Sequence, residues 1–190
     1  MPDNYQSIGN ESSYNQQAGI INNVVGKKEK TLSILGKILQ SLINNLNGKS
    51  DFQNRYEKEF KFQEKISFNN LIVYSDTIQD WLEYMFYIDS IYEIEKQNNQ
   101  FAYKSLQSTI KRLYKKELEI VASNQTDKMQ IIRENSDKIF GNIFNKLSQI
   151  VENDKLLENI ESEYIESGLE IILVKAFIDC NILENPNVSG

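Results

Sequence analysis

No histidine occurs anywhere in the 190-residue sequence, and that absence removes a wide band of chemistry. Ser–His and Cys–His nucleophilic pairs, imidazole general bases and histidine metal sites are all impossible. An enzyme built on this chain would have to work with carboxylates or a lysine. The single cysteine, Cys180, has no partner for an internal disulfide, which suits a reducing cytosol. Reactive thiols need exposure and nearby positive charge, so Cys180 is expected to be a small buried hydrophobe. The polar amino terminus has no apolar h-region, so no secretory signal is expected. No run reaches the roughly 20 mostly apolar residues that a membrane helix requires. A net charge of -6 argues against a general nucleic-acid binder. These absences together predict a cytoplasmic, non-enzymatic protein that acts through protein contacts, with no catalytic, metal or cofactor-binding residues.

What is present is ordinary globular material. Hydrophobic residues make up 40% and charged residues 25%, enough for one domain plus a tail. Residues 1–26 stand apart as an almost uncharged stretch rich in Asn, Gln, Ser and Gly. Such a composition does not bury enough apolar surface to order itself, which gives a flexible tail. The alternative is a self-association segment, because Asn/Gln-rich stretches with β-branched pairs such as Ile20–Ile21 and Val24–Val25 pair with sheet edges.

From residue 27 the patterning is helical. Leu32, Leu35, Leu39, Leu42 and Leu46 alternate spacings of three and four, a leucine seam widened by Ile34, Ile38 and Ile43. Asn47–Gly48 stops this helix. Gly48–Lys49–Ser50 has the ending of a phosphate-binding loop, but Ile43 stands where its first glycine belongs, so the motif is rejected. A charged linker is expected over 51–66, with Tyr56, Phe60 and Phe62 either clamping it to the domain or forming a partner-binding ridge. One long helix is then predicted from residue 67 or 69 to 97, with Leu71, Tyr74, Ile78, Leu82, Met85, Ile88 and Tyr92 inward and an aromatic girdle of Trp81, Tyr84, Phe86 and Tyr87.

A third helix over 100–122 turns Ala102, Leu106, Ile110, Leu113 and Val121 inward. It also carries the basic cluster Lys104, Lys111, Arg112, Lys115 and Lys116, read as a solvated face, with phosphate-backbone contact as the alternative. Asp127 is placed to cap a fourth helix over 127–153, with Ile132, Ile139, Ile143, Leu147 and Ile150 on its inner face. In the last helix, between Leu169 and Ile182, only Glu170, Lys175, Asp179 and Asn181 are not apolar. A helix apolar on nearly every side is wrapped by others, so this one is expected to be the central strut. Lys175 and Asp179 are four apart, either pairing where the helix surfaces or forming a polar spot for docking. The acidic run Glu158, Glu161, Glu163 and Glu166 is read as a solvated face rather than a metal site. The fold expectation is all-α, an irregular bundle of about five helices behind a polar, flexible amino-terminal segment. Its divisions are a tail or self-association segment (1–26), the leucine-seam helix (27–48) and a helical domain (49–187).

Lys65-Ile-Ser-Phe-Asn-Asn-Leu71, a long aromatic helix, and a closing apolar helix ending in Cys180 and Glu184-Asn-Pro186 together resemble the helical C-terminal domain of bacterial ABC-three-component conflict systems. The resemblance covers roughly residues 50 to 187. In that family the domain commonly follows an effector and couples it to an SMC-like ABC ATPase and a small middle component, in defence against phage. Here only the leucine-seam helix and the tail stand in front of it. The resemblance therefore implies a non-catalytic adaptor or sensor that meets an SMC-like ABC ATPase and a further component; the association-prone amino-terminal segment adds the expectation of a homo-oligomer. Its candidate partner contacts are Tyr56, Phe60, Phe62, Lys175 and Asp179. The alternative is a homo-oligomeric helical structural protein, or an antitoxin or immunity partner.

Overall fold

The computed structural model describes residues 32–46, 59–82, 84–122 and 127–186. Among these residues the chain forms seven α-helices and no strand. They are α1 (Ile34–Leu46), α2 (Glu59–Asn69), α3 (Ser75–Leu82), α4 (Met85–Asn98), α5 (Gln100–Val121), α6 (Lys128–Val151) and α7 (Ser162–Ile178), with a 3-10 turn, Lys155–Leu157, before α7. The all-α expectation holds. The tail over 1–26 lies outside the described residues.

At the centre of the bundle runs α7, as its all-round apolarity predicts. Gly168, Leu169 and every residue from Ile171 to Phe177 are buried. Helices α1, α3 and α6 pack directly on it. The α1 seam is real: Leu35, Ile38, Leu39, Leu42 and Ile43 are all buried. Leu32, expected to open that seam, is instead exposed ahead of the helix, and the Leu46 side chain lies outside the described residues. Because α1 shares one core with α7, a boundary at 48/49 separates nothing in the packing.

Two of the expected elements differ. The segment read as a linker contains α2, and the single long helix over 67–97 is three helices, α2 to α4. The break falls at Asn69–Asn70. Asn70 takes a left-handed φ of 54°, its N–H reaching the Ser67 carbonyl at 3.1 Å while the Leu71 N–H reaches Ile66 at 3.1 Å. This paired closure ends a helix, and asparagine tolerates its left-handed residue better than most. Asp137 of α6 then accepts from the N–H groups of Ile72, Val73 and Tyr74, the shortest at 2.9 Å. A carboxylate from a distant helix thus satisfies backbone donors that a continued helix would have paired internally. No local propensity could announce it.

The remaining ends are capped locally. Asn99 alone separates α4 from α5, and its side chain accepts the Ala102 N–H at 3.0 Å. Asp127 caps α6 as predicted, accepting from Met129 at 2.9 Å and Gln130 at 3.2 Å. Along α6, Ile132, Ile139, Ile143 and Leu147 are buried, but Val151 rather than the part-exposed Ile150 completes the row.

Ser33 caps α1 by accepting the Gly36 N–H at 2.7 Å. Asp154, in the loop after α6, accepts the N–H groups of Ser33 at 2.7 Å and Leu156 at 3.0 Å, placing a carboxylate at the positive end of α1. The approach is so close that a Cβ on Gly36 would stand 2.2 Å from Asp154 Oδ2. Gly36→Ala is therefore expected to push this loop off α1 and cost about 1–3 kcal/mol, the range for overpacking. Urea denaturation of both proteins checks it.

Candidate functional site

The short sequences that flank the fold's first break and its end form one site. Lys65 and Asn69 lie on the inner side of α2, and both are buried. The Lys65 ammonium donates to the carbonyl of Phe177, in the last turn of α7, and to that of Ile182 at 3.3 Å. It also stands 4.3 Å over the Phe177 ring. A cation at the carbonyl end of a helix is favoured by the helix dipole. Burial nonetheless pulls the Lys65 pKa below its ordinary value, an effect partly offset by nearby Cys180, Glu184 and Asp179. The Asn69 amide pairs with the Glu184 backbone in both directions, donating at 2.8 Å and accepting at 2.9 Å. The Glu184 carboxylate then receives Tyr114 of α5 at 3.2 Å and Lys128 of α6 at 2.7 Å. Burial, then the Glu184 charge, raise the Tyr114 phenol above its usual range. Residues 65–71 and 177–184 are thereby clasped together.

Cys180 is exposed rather than buried, a correction with a backbone reason. It follows the end of α7 with φ 56°, its N–H on the Phe177 carbonyl at 3.2 Å and the Asn181 N–H on Ala176 at 2.9 Å. This is the same paired closure as at Asn70, in the position where glycine is usual.

Of the polar pair Lys175 and Asp179, the first is interior and the second is exposed at the end of α7. Lys175 is buried, paired with Asp179 on its own helix and with Asp89 of α4 at 2.9 Å. Burial disfavours its ammonium, but the hydrogen bonds and charges of Asp179 and Asp89 outweigh this and raise its pKa. Glu170 is likewise engaged, accepting the Trp81 indole N–H of α3 at 3.0 Å. Phe62 is buried in the core and offers no ridge to a partner. Tyr56 and the side chain of Phe60 lie outside the described residues, as do the side chains of Phe86 and Tyr87.

Sequence reasoning missed Glu117. It occupies the inner face of α5 where Leu113 and Val121 were expected to dominate, and it is 1% exposed. Its Oε2 accepts from Asn142 of α6 at 2.7 Å, while Oε1 has no hydrogen-bond partner and stands 3.9 Å from Lys146. Its place in the row Ile110, Tyr114, Glu117 was the available signal.

The outer surface carries three other features. Lys104, Lys111, Arg112, Lys115 and Lys116 are all exposed on α5. Ile94 and Phe101, 56% and 76% exposed, flank the α4–α5 corner. A cleft of about 510 Å³ opens between the end of α6 and the start of α7, lined by Glu152, Glu158 and Glu166 with Val151, Leu157 and Ile165. No group of three His, Cys, Asp or Glu side chains among the described residues is placed to hold a metal. No described helix is long and apolar enough to cross a membrane.

These features define an all-α domain closed by its own final segment upon a buried central helix. The model for C-terminal domain 10 of the ABC-three component (ABC-3C) systems matches residues 33–184, and the chain belongs to that family. The match takes in α1. Neither the curated proteins nor the solved structures give a match.

Two outcomes follow for the site. Cys180→Gly is expected to stabilise the fold by about 1 kcal/mol, because glycine occupies the left-handed region without the Cβ penalty; thermal melting measures it. For Lys175, a folded pKa raised above 10.5 means its contribution is complete below that value and is lost as pH rises through the folded value. The stability gap between the wild type and Lys175→Met, about 1–3 kcal/mol at neutral pH for a charged hydrogen-bonded group, should shrink above pH 10.5 in denaturant titrations.

Proposed function

We propose that the chain is a non-catalytic adaptor or sensor subunit of an anti-phage defence complex, coupled through protein contacts to an SMC-like ABC ATPase and a further component. The observation that carries this reading is membership of an ABC-3C domain family over residues 33–184. It is supported by the fate of the polar groups inside the bundle. Lys65, Asn69, Glu170 and Lys175 are each engaged by a neighbouring helix or by the closing segment, so their chemistry goes into holding the fold.

With Phe62 and Lys175 withdrawn into the core, the partner contact falls to the outer surface. Ile94 and Phe101 are the exposed apolar pair best suited to anchor it, since aromatic anchors dominate interface energetics. The cell compartment of this role is the cytoplasm, and the working form is a homo-oligomer.

The test is copurification of the tagged chain with an SMC-like ABC ATPase from the same source, together with phage plaquing. Phe101→Asp should weaken copurification by about tenfold or more, the loss of one anchor worth about 1.4 kcal/mol, while leaving helicity unchanged. A chain that never retains the ATPase, and whose deletion leaves plaquing unaltered, would sink the reading.

A further inference from the structure

We infer that the chain associates head to tail with a second copy of itself, the basic stripe of α5 on one copy seating against the acidic cleft between α6 and α7 on the next. This rests on the homo-oligomer in the proposed function and assigns its two surfaces. Lys104, Lys111, Arg112, Lys115 and Lys116 are exposed along one helix, and at 1.5 Å per residue the stripe runs about 18 Å. None of the five is ion-paired with a described carboxylate. Ile120, 60% exposed, continues the line of Arg112 and Lys116 and gives the stripe an apolar end.

The complementary surface lies elsewhere on the same chain. Glu152, Glu158 and Glu166 are exposed where they line the cleft, the first two also engaged within the chain, and Glu161 and Glu163 are exposed close by in sequence. Its floor is apolar, with Val151 and Leu157 buried and Ile165 partly so. Basic heads above an apolar residue therefore meet acidic walls above an apolar floor. With a net charge of -6, copies repel one another in most orientations, which leaves this predominantly basic face, interrupted by the exposed Glu119, as the favoured approach. The same net charge disfavours a nucleic acid as occupant. Because the two patches differ, the contact is heterologous and propagates into a ring or a filament.

Sedimentation of the full chain tests this at about 0.1 M and about 1 M salt, between which the screening length falls from about 10 Å to about 3 Å. The wild type should associate with rising concentration at low salt and become monomeric at high salt. Lys111→Glu with Lys115→Glu, and separately Glu158→Lys with Glu166→Lys, should each abolish association. Mixing the two variants should restore it, since each then offers the patch the other lacks. Circular dichroism checks that these surface variants stay helical. A monomeric wild type at low salt, association that survives both reversals, or a mixture that stays monomeric would overturn the proposal. So would a monomeric wild type that binds duplex DNA in a salt-sensitive way and loses that binding in the Lys111 and Lys115 variant. A monomer that still retains the ATPase overturns this contact and the homo-oligomer with it, and leaves the adaptor reading standing.

Discussion

The structure depends on one requirement: α7 must be wrapped on every side. Burying a Val, Leu, Ile or Phe side chain is worth about 1.5–3 kcal/mol, and α7 places an unbroken row of residues from Ile171 to Phe177 out of solvent. That gain is large enough to tolerate Glu170 and Lys175 within the helix, provided each finds a partner. Leaving a buried charged group without its hydrogen-bond partner costs about 1–3 kcal/mol, so α3 and α4 must present Trp81 and Asp89 at the right heights. Their placement follows from α7, and so does the need for a break between α2 and α3. A single straight helix could not bring both the Lys65 turn and the Trp81 turn onto the same strut.

The clasp answers a second requirement at the end of that strut. A helix ends with unpaired carbonyls, and burying them without donors is costly. Lys65 supplies a donor from α2, and the left-handed residues Cys180 and Leu183 turn the chain back so that Glu184 reaches Asn69. The short motifs that carry the family resemblance are therefore complementary halves of one structural contact. Their residue types follow from it: a long cation to reach a helix end, and an amide that donates and accepts at once.

Much of this was legible in the residues. The seam of α1, the cap at Asp127 and the all-round apolarity of α7 are periodic or local signals, and each has its expected place in the fold. What was hidden depends on groups distant in sequence. Phe-Asn-Asn-Leu looked like an entry into a helix because Asn70 as a helix end makes sense only with Asp137 at hand to take the freed N–H groups. Cys180 looked buried because composition ranks it so, whereas a backbone turn puts it outside. Lys175 left two readings open from sequence, and Asp89, lying on another helix, decides between them. Among the candidate contacts, residue type alone could not separate Phe62 and Lys175, which are interior, from Asp179, which is exposed.

The position of α7 in the chain also sets an order of events during synthesis. The strut is made after the other six described helices, and the segment that pins it to α2 is made later still. Until then α1 has only α4, α5 and α6 to cover its buried leucines, and α2 holds a lysine and an asparagine without their partners on the closing segment. Contacts between elements so far apart in sequence carry a high loop-closure cost and form late. The bundle is thus expected to close as a single unit once residue 184 emerges. A chain halted before α7 would leave the α1 seam partly uncovered, an apolar surface of the kind that chaperones hold and proteases remove.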